Sequence, residues 1–174
     1  MPLADRVRSV LVQYPDWPKP GVTFADLSPV YADADLRRKL TAHFSTIVAN
    51  EGADVIAAIE SRGYLLGMSI AEDLGLPFVQ VRKGGKLPGD CAKVAYSLEY
   101  GTAELEIQSQ AFTEGDRVLI VDDVLATGGT ASAARDLIGM AGGIAIGLIV
   151  IAEIAFLEGR NRMSDLRVDS LLQL

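Results

Sequence analysis

The sequence predicts an α/β protein built on a doubly wound parallel sheet, with an N-terminal arm and a flexible hairpin loop added to it. Three observations lead there. Short apolar runs without polar alternation, DVIAAIE (54–60), Arg117–Val121 and Ile144–Ala152, read as strands buried on both faces. Stretches of helical period lie between strand segments. Two adjacent acids and a small-residue loop then join one such strand to the next helix, the place where parallel sheets bind ligands. With 174 residues, 49% apolar and 22% charged, the chain is long enough for one domain with a sizeable core and is not disordered in composition.

The elements follow in order. ADRVRSVLVQY spaces Val7, Val10, Leu11 and Tyr14 as one helical face and stops at Pro15. PDWPKPGVTFADLSP holds four of the seven prolines and is expected to form a structured arm without regular elements. A second helix over about 33–50 presents Leu36, Leu40, Phe44, Ile47 and Val48, and His43 on or near that face reads as packing or a satisfied hydrogen bond. After the strand at 54–60, SRGYLLGMSIAEDLG returns to helical period, with Gly75 as C-cap. Pro77–Arg82 is the next strand, followed by the polar loop KGGKLPGD. Weak alternation over 93–109 predicts a hairpin standing off the main sheet, where Glu104 and Glu106 are solvated. Arg117–Val121, Thr130–Met140 and Ile144–Ala152 complete the series as strand, helix and strand. No repeat or linker interrupts them, so 1–174 reads as one domain, with 1–32 as helix and arm.

Composition excludes several classes. A net charge of −7 argues against a nucleic-acid partner, which would require a basic face. Cys91 and His43 are each the single residue of their type, so neither a disulfide framework nor a Cys/His zinc site is expected. No signal-peptide pattern opens the chain, and its longest apolar run falls far below the ~20 residues of a membrane helix. The expectation is a soluble cytoplasmic protein with no membrane partner.

The chemistry concentrates in Val118–Thr130, VLIVDDVLATGGT. Small residues let backbone approach a ligand, and Gly128 and Gly129 can take conformations closed to other residues. Backbone N–H groups at the start of a helix, aided by its dipole, make an anion site, to which Thr127 and Thr130 add hydroxyls. A dianionic phosphomonoester suits it. The carboxylates of Asp122 and Asp123 would repel phosphate, so they must face another part of the ligand; as acceptors they match vicinal hydroxyls. Phosphate beside a diol describes ribose 5-phosphate. No GxxxxGK[ST] occurs, and no GxGxxG in a dinucleotide position. The plainer alternative is a strand end with acidic capping and a glycine turn.

This segment resembles the phosphoribosyl pyrophosphate (PRPP) motif of the type I phosphoribosyltransferases. PGVTFADLSP (20–29), IESRGY (59–64), VRKGGKLPG (81–89), YSLEYGTAELEIQ (96–108), EIAFLEGRNRM and the final SLLQL are similar to the adenine phosphoribosyltransferase family. The resemblance covers nearly the whole chain. It implies that family's sheet with an N-terminal hood, and transfer of phosphoribose from PRPP to adenine, giving AMP and pyrophosphate in purine salvage. Mg²⁺ is implied, carried through PRPP, pyrophosphate and water, as is a homodimer.

The resemblance also implies roles. Ala126, Thr127, Gly128, Gly129 and Thr130 hold the 5-phosphate, while Asp122 and Asp123 serve the ribose and its developing cation. Arg62, after a strand end, belongs to the pyrophosphate loop. Lys83 and Lys86, in the one dense basic loop cluster of an acidic chain, meet PRPP, in part from the neighbouring subunit. Glu99 in SLEYG is the expected general base, reaching purine N7. Thr23, Phe24 and Ala25 read the purine, Phe24 by stacking; core packing is the competing role for Phe24. Ala25 and Gly84 stand where the family commonly has long basic side chains. Trp17 and Cys91 receive no role. Other outcomes are transfer to another purine, a PRPP-sensing regulator, or an inactive homologue; the charges expected for catalysis are all present, and no added basic DNA-binding segment is visible.

Overall fold

The computed structural model describes residues 1–17, 19–97 and 102–174. Two compact units divide them, Met1–His43 and Phe44–Leu174. In the first, helix α1 (Leu3–Val10) ends four residues before the expected Tyr14. Val12–Tyr14 is extended instead, because this strand (β1) pairs antiparallel with β2 (Phe24–Asp26) in the register Val12↔Asp26 and Tyr14↔Phe24. The arm expected to lack regular elements therefore carries one strand. It also carries α2 (Ser28–Ala32), with Pro29 in the first turn, where its missing N–H removes no helical bond. The Trp17 and Phe24 rings meet edge to face at 4.6 Å, so Trp17 does have a packing role.

Helix α3 (Ala34–Glu51) starts where predicted. Asp33 caps it, its Oδ1 accepting the N–H groups of Asp35 and Leu36 at 3.0 Å each. Arg6 Nη2 pairs with the same carboxylate at 2.7 Å. His43 is exposed, because the buried stripe of α3 runs through Leu36, Leu40, Phe44 and Val48, so of its two expected roles core packing is the one that does not hold.

The second unit contains β3 (Val55–Ile59), α4 (Arg62–Leu74), β4 (Phe78–Lys83), β5 (Cys91–Ser97), β6 (Thr102–Gln108), β7 (Arg117–Val121), β8 (Val124–Leu125), α5 (Gly129–Met140), β9 (Ile144–Glu153) and β10 (Arg167–Gln173). The strand order is β10-β9-β7-β3-β4-β6-β5, parallel from β10 to β4. Strand β3 is buried at all five residues, as its unalternating sequence requires. Its two faces carry different helices. Gly67 of α4 comes so near that a Cβ there would lie 2.6 Å from Ala58 Cβ, whereas Val55, Ala57 and Ile59 share a core cluster with Ala134, Leu137 and Ile138 of α5. That is the doubly wound arrangement. Gly75 ends α4 in the left-handed conformation, φ 66°, available cheaply to glycine.

The hairpin does not stand off the sheet. Strand β6 pairs antiparallel with β4 (Arg82↔Glu106, Lys83↔Leu105), and Val94 and Tyr96 of β5 pack on the α5 core. Weak alternation concealed this because β6 buries one apolar row and, on its polar row, Glu106 is covered by the 84–87 loop while Thr102, Glu104 and Gln108 stay exposed. β10 was not predicted as a strand; it pairs in parallel with β9 from Arg167↔Gly147 to Gln173↔Glu153.

Candidate active site

Asp122 and Asp123 leave the carboxyl end of β7 held from both sides. The Asp122 N–H donates to Ile149 O at 3.0 Å, and the Asp123 carbonyl accepts from Ile151 and Ala152 N–H at 3.0 and 3.1 Å. The Asp123 N–H donates to Asp122 Oδ1 at 2.8 Å. Asp123 is only 3% exposed. Arg62 Nε stands 2.7 Å from its Oδ2, but among the described residues that oxygen accepts no directed hydrogen bond. A buried acceptor in this condition is costly, and a ligand hydroxyl would satisfy it. Burial and the charge of Asp123 push the Asp122 carboxyl well up from its ordinary range. Burial also raises Asp123, opposed by Arg62. A cationic centre beside the pair would favour the ionised forms.

The loop after the acids is shaped by close backbone contact. Gly128 has φ 79° and precedes α5, and a Cβ on it would lie 2.5 Å from Gly159 O. Side chains are therefore barred on two grounds, conformation and space. A cavity of about 80 Å³ lies here, lined by Asp122, Val124–Ala131, Leu148 and Val150. The first N–H groups of a helix have no intrahelical acceptor, a feature that suits anions. All five predicted loop residues, Ala126 to Thr130, line the cavity.

A larger cleft of about 510 Å³ adjoins it. Ser61, Arg62, Lys83 and Tyr96 line it together with Asp122, Asp123, Val124 and Thr130, the last four forming one wall. Ser61 holds φ 81° ahead of α4, an uncommon conformation for serine, and Arg62 opens the helix. Gly63 lets α4 approach β7: a Cβ there would be 2.9 Å from Val121 O and 3.1 Å from Asp122 Oδ1.

The structure thus brings together Arg62, Lys83, Asp122, Asp123 and the 126–130 loop. Lys86 is exposed and does not line this cleft. Thr23, Phe24 and Ala25 belong to the first unit, and Glu99 lies outside the described residues. Glu106, expected in solvent, is 1% exposed because the 84–87 loop covers it. Glu60 was missed as well; its Oε2 accepts the Lys83 N–H at 2.8 Å and pairs with Arg82 at 3.4 Å. Its position in IESRGY, one residue before a positive-φ serine, was the available signal. Among the described residues no three His, Cys, Asp or Glu converge as a metal site, and no helix is long and apolar enough to cross a membrane.

Residues 31–173 match the phosphoribosyl transferase domain. An adenine phosphoribosyltransferase of Frankia casuarinae is 45% identical over 172 residues, 99% of this chain and 92% of that protein. The chain belongs to the adenine phosphoribosyltransferase family. Among solved members of that family, the enzyme of Thermoanaerobacter pseudethanolicus superposes with TM-score 0.95 at 40% identity, covering 98% of this chain and 99% of that one. The adenine phosphoribosyltransferase of Saccharomyces cerevisiae, complexed with an imino-altritol bisphosphate and adenine, gives TM-score 0.93 at 38% identity over 98% of both chains. The parallel-dominated sheet is thus the family's fold, as the sequence motifs implied.

Proposed function

We propose that this chain transfers the 5-phosphoribosyl group of PRPP to adenine, giving AMP and pyrophosphate. One observation supports it most directly: the small cavity of the 126–130 loop and the larger cleft that carries Arg62 and Lys83 share Asp122, Val124 and Thr130 in their linings. A ligand with phosphate at one end and diphosphate at the other, joined by a diol-bearing ring, matches that sequence of surfaces. The 126–130 loop takes the 5-phosphate. Asp122 and Asp123 accept from the ribose hydroxyls and stabilise positive charge on the ring as the C1–oxygen bond to diphosphate breaks. Arg62 and Lys83, with Lys86, offset the charge that the departing diphosphate gains.

Adenine, bound as its N7–H tautomer, then forms the bond to C1 through the N9 lone pair and gives up its N7 proton. Glu99 is assigned as the base, through N7, on the family pattern SLEYG. Phe24 stacks on the purine, and backbone groups of Thr23 and Ala25 read its edge; these roles rest on the resemblance of PGVTFADLSP. Magnesium, which the family resemblance implies, would arrive on the diphosphate and neutralise part of its charge. Leu65 and Met68, each about half exposed on α4, offer apolar surface for a second copy in a cytoplasmic homodimer.

A spectrophotometric assay with PRPP, Mg²⁺ and a panel of purine bases tests the proposal. AMP formation from adenine, with slower turnover of hypoxanthine and xanthine, is expected. A folded protein that makes no AMP would overturn it.

A further inference from the structure

The loop between β4 and β5 carries Lys83 and Lys86, and it folds around a carboxylate of its own chain. Glu106 Oε1 accepts the N–H groups of Lys86 and Leu87 at 2.6 Å each. Lys93 Nζ lies 3.5 Å from Oε2. Burial pushes this carboxyl up, but N–H donors from Leu87, Gly85 and Lys86 outweigh burial and hold its pKa at about 2. Successive N–H groups converging on one anion make a nest, the arrangement with which proteins bind phosphate. Here the nest is filled internally. Gly85 turns the chain into it with φ 78°, and Glu60 fixes the start of the loop through the Lys83 N–H.

The filling has a consequence for chemistry. With these donors used, and the Gly84 N–H given to Glu104 O, the 84–87 segment can offer a diphosphate only its side chains, and their placement depends on Glu106. Gly84 fits the same design. A Cβ there would lie 2.5 Å from Glu104 Oε1, so the loop lies directly on β6 and leaves no room for a side chain unless Glu104 moves.

We propose that Glu106 is a positioning residue for the phosphoribosyl donor: its buried carboxylate gathers the 85–87 N–H groups and so sets Lys83 and Lys86 for the diphosphate. This rests on the assignment of those lysines to PRPP. Loss of Glu106 therefore weakens PRPP binding while leaving adenine binding and the chemical step intact.

Initial rates of the full chain with adenine, PRPP and Mg²⁺ test it, using Glu106→Ala, Glu106→Gln, Gly85→Ala and Lys86→Ala. Glu106→Ala should raise KM for PRPP about tenfold or more, the scale of lost charge-assisted hydrogen bonds, with kcat and KM for adenine within about twofold. Glu106→Gln keeps an acceptor at Oε1 and should restore KM to within about threefold. Gly85→Ala meets no neighbouring atom but strains the nest; it should raise KM for PRPP several-fold, and it decides the matter should Glu106→Ala not fold. The inference falls if Gly85→Ala leaves KM for PRPP unchanged. It also falls if Glu106→Ala depresses every parameter together without rescue by glutamine. An unchanged KM for PRPP in Lys86→Ala and in a matching Lys83→Ala would instead remove the lysine assignment itself.

Discussion

Gly159 approaches the 126–130 loop so closely that a Cβ on it would lie 2.2 Å from the carbonyl oxygen of Ala126. The turn Gly159–Met163 is anchored by Arg160, whose Nε lies 2.7 Å from both carboxylate oxygens of Glu153 and whose Nη1 donates to Val168 O at 2.8 Å. The 126–130 loop is therefore braced from behind by a fixed wall. Gly159→Ala must displace one of them. We expect KM for PRPP to rise about tenfold or more, as small misplacements of a binding group cost that much, and steady-state kinetics with saturating adenine checks it.

Arg62 and Asp123 form an unequal pair, the cation 39% and the carboxylate 5% exposed at the side chain. Removing Arg62 leaves a buried charge unpaired. Arg62→Ala should lower stability by about 1–2 kcal/mol, less than for a fully buried pair because Arg62 is partly screened. Adding Asp123→Asn should recover most of that loss without recovering PRPP affinity. Denaturant unfolding and PRPP titration of the single and double variants separate the two effects.

Asp122 predicts a stability that falls with pH. Its raised folded pKa means that, above the ordinary carboxyl range, the folded state binds a proton which the unfolded state has released. Stability falls as pH rises through that window, and the cost persists at neutral pH. Asp122→Asn removes it while keeping an acceptor for the Asp123 N–H. Its Tm at pH 7 should rise by about 2–4 °C per kcal/mol gained, with the difference from the parent shrinking below pH 4, while turnover falls by about 10²-fold. A variant no more stable than the parent at pH 7 would show that the carboxyl is not held up by burial.

Glu99→Gln should lower kcat by about 10²-fold or more, the usual range for a general acid–base group. Unchanged turnover would remove Glu99 from the mechanism. Pre-steady-state measurement of AMP formation keeps product release from masking the effect.

Much of the site was legible in the sequence because it is local. VLIVDDVLATGGT places strand end, acids, loop and helix start within 13 consecutive residues, so covalent continuity fixes their spacing. The buried strands β3 and β7 were legible too, since only burial on both faces permits an unalternating apolar run. Helix α1 was overextended to Tyr14 because helical spacing at Val10, Leu11 and Tyr14 is equally compatible with a strand that finds a partner in Phe24–Asp26. Glu106 was misplaced for the opposite reason: alternation in TAELEIQ marks two faces, but not which loop covers the polar one.

The sequence by itself determined the family, the sheet and the strand–loop–helix segment at 118–130, because those depend on residue type and short-range order. Only tertiary structure decided that Arg62 pairs with Asp123, that Gly159 braces Ala126, and that Glu106 lies inside the lysine loop. Each joins residues 20 or more positions apart. Such contacts arise from chain crossings and close backbone approach, and these are set by how strands order themselves in the sheet.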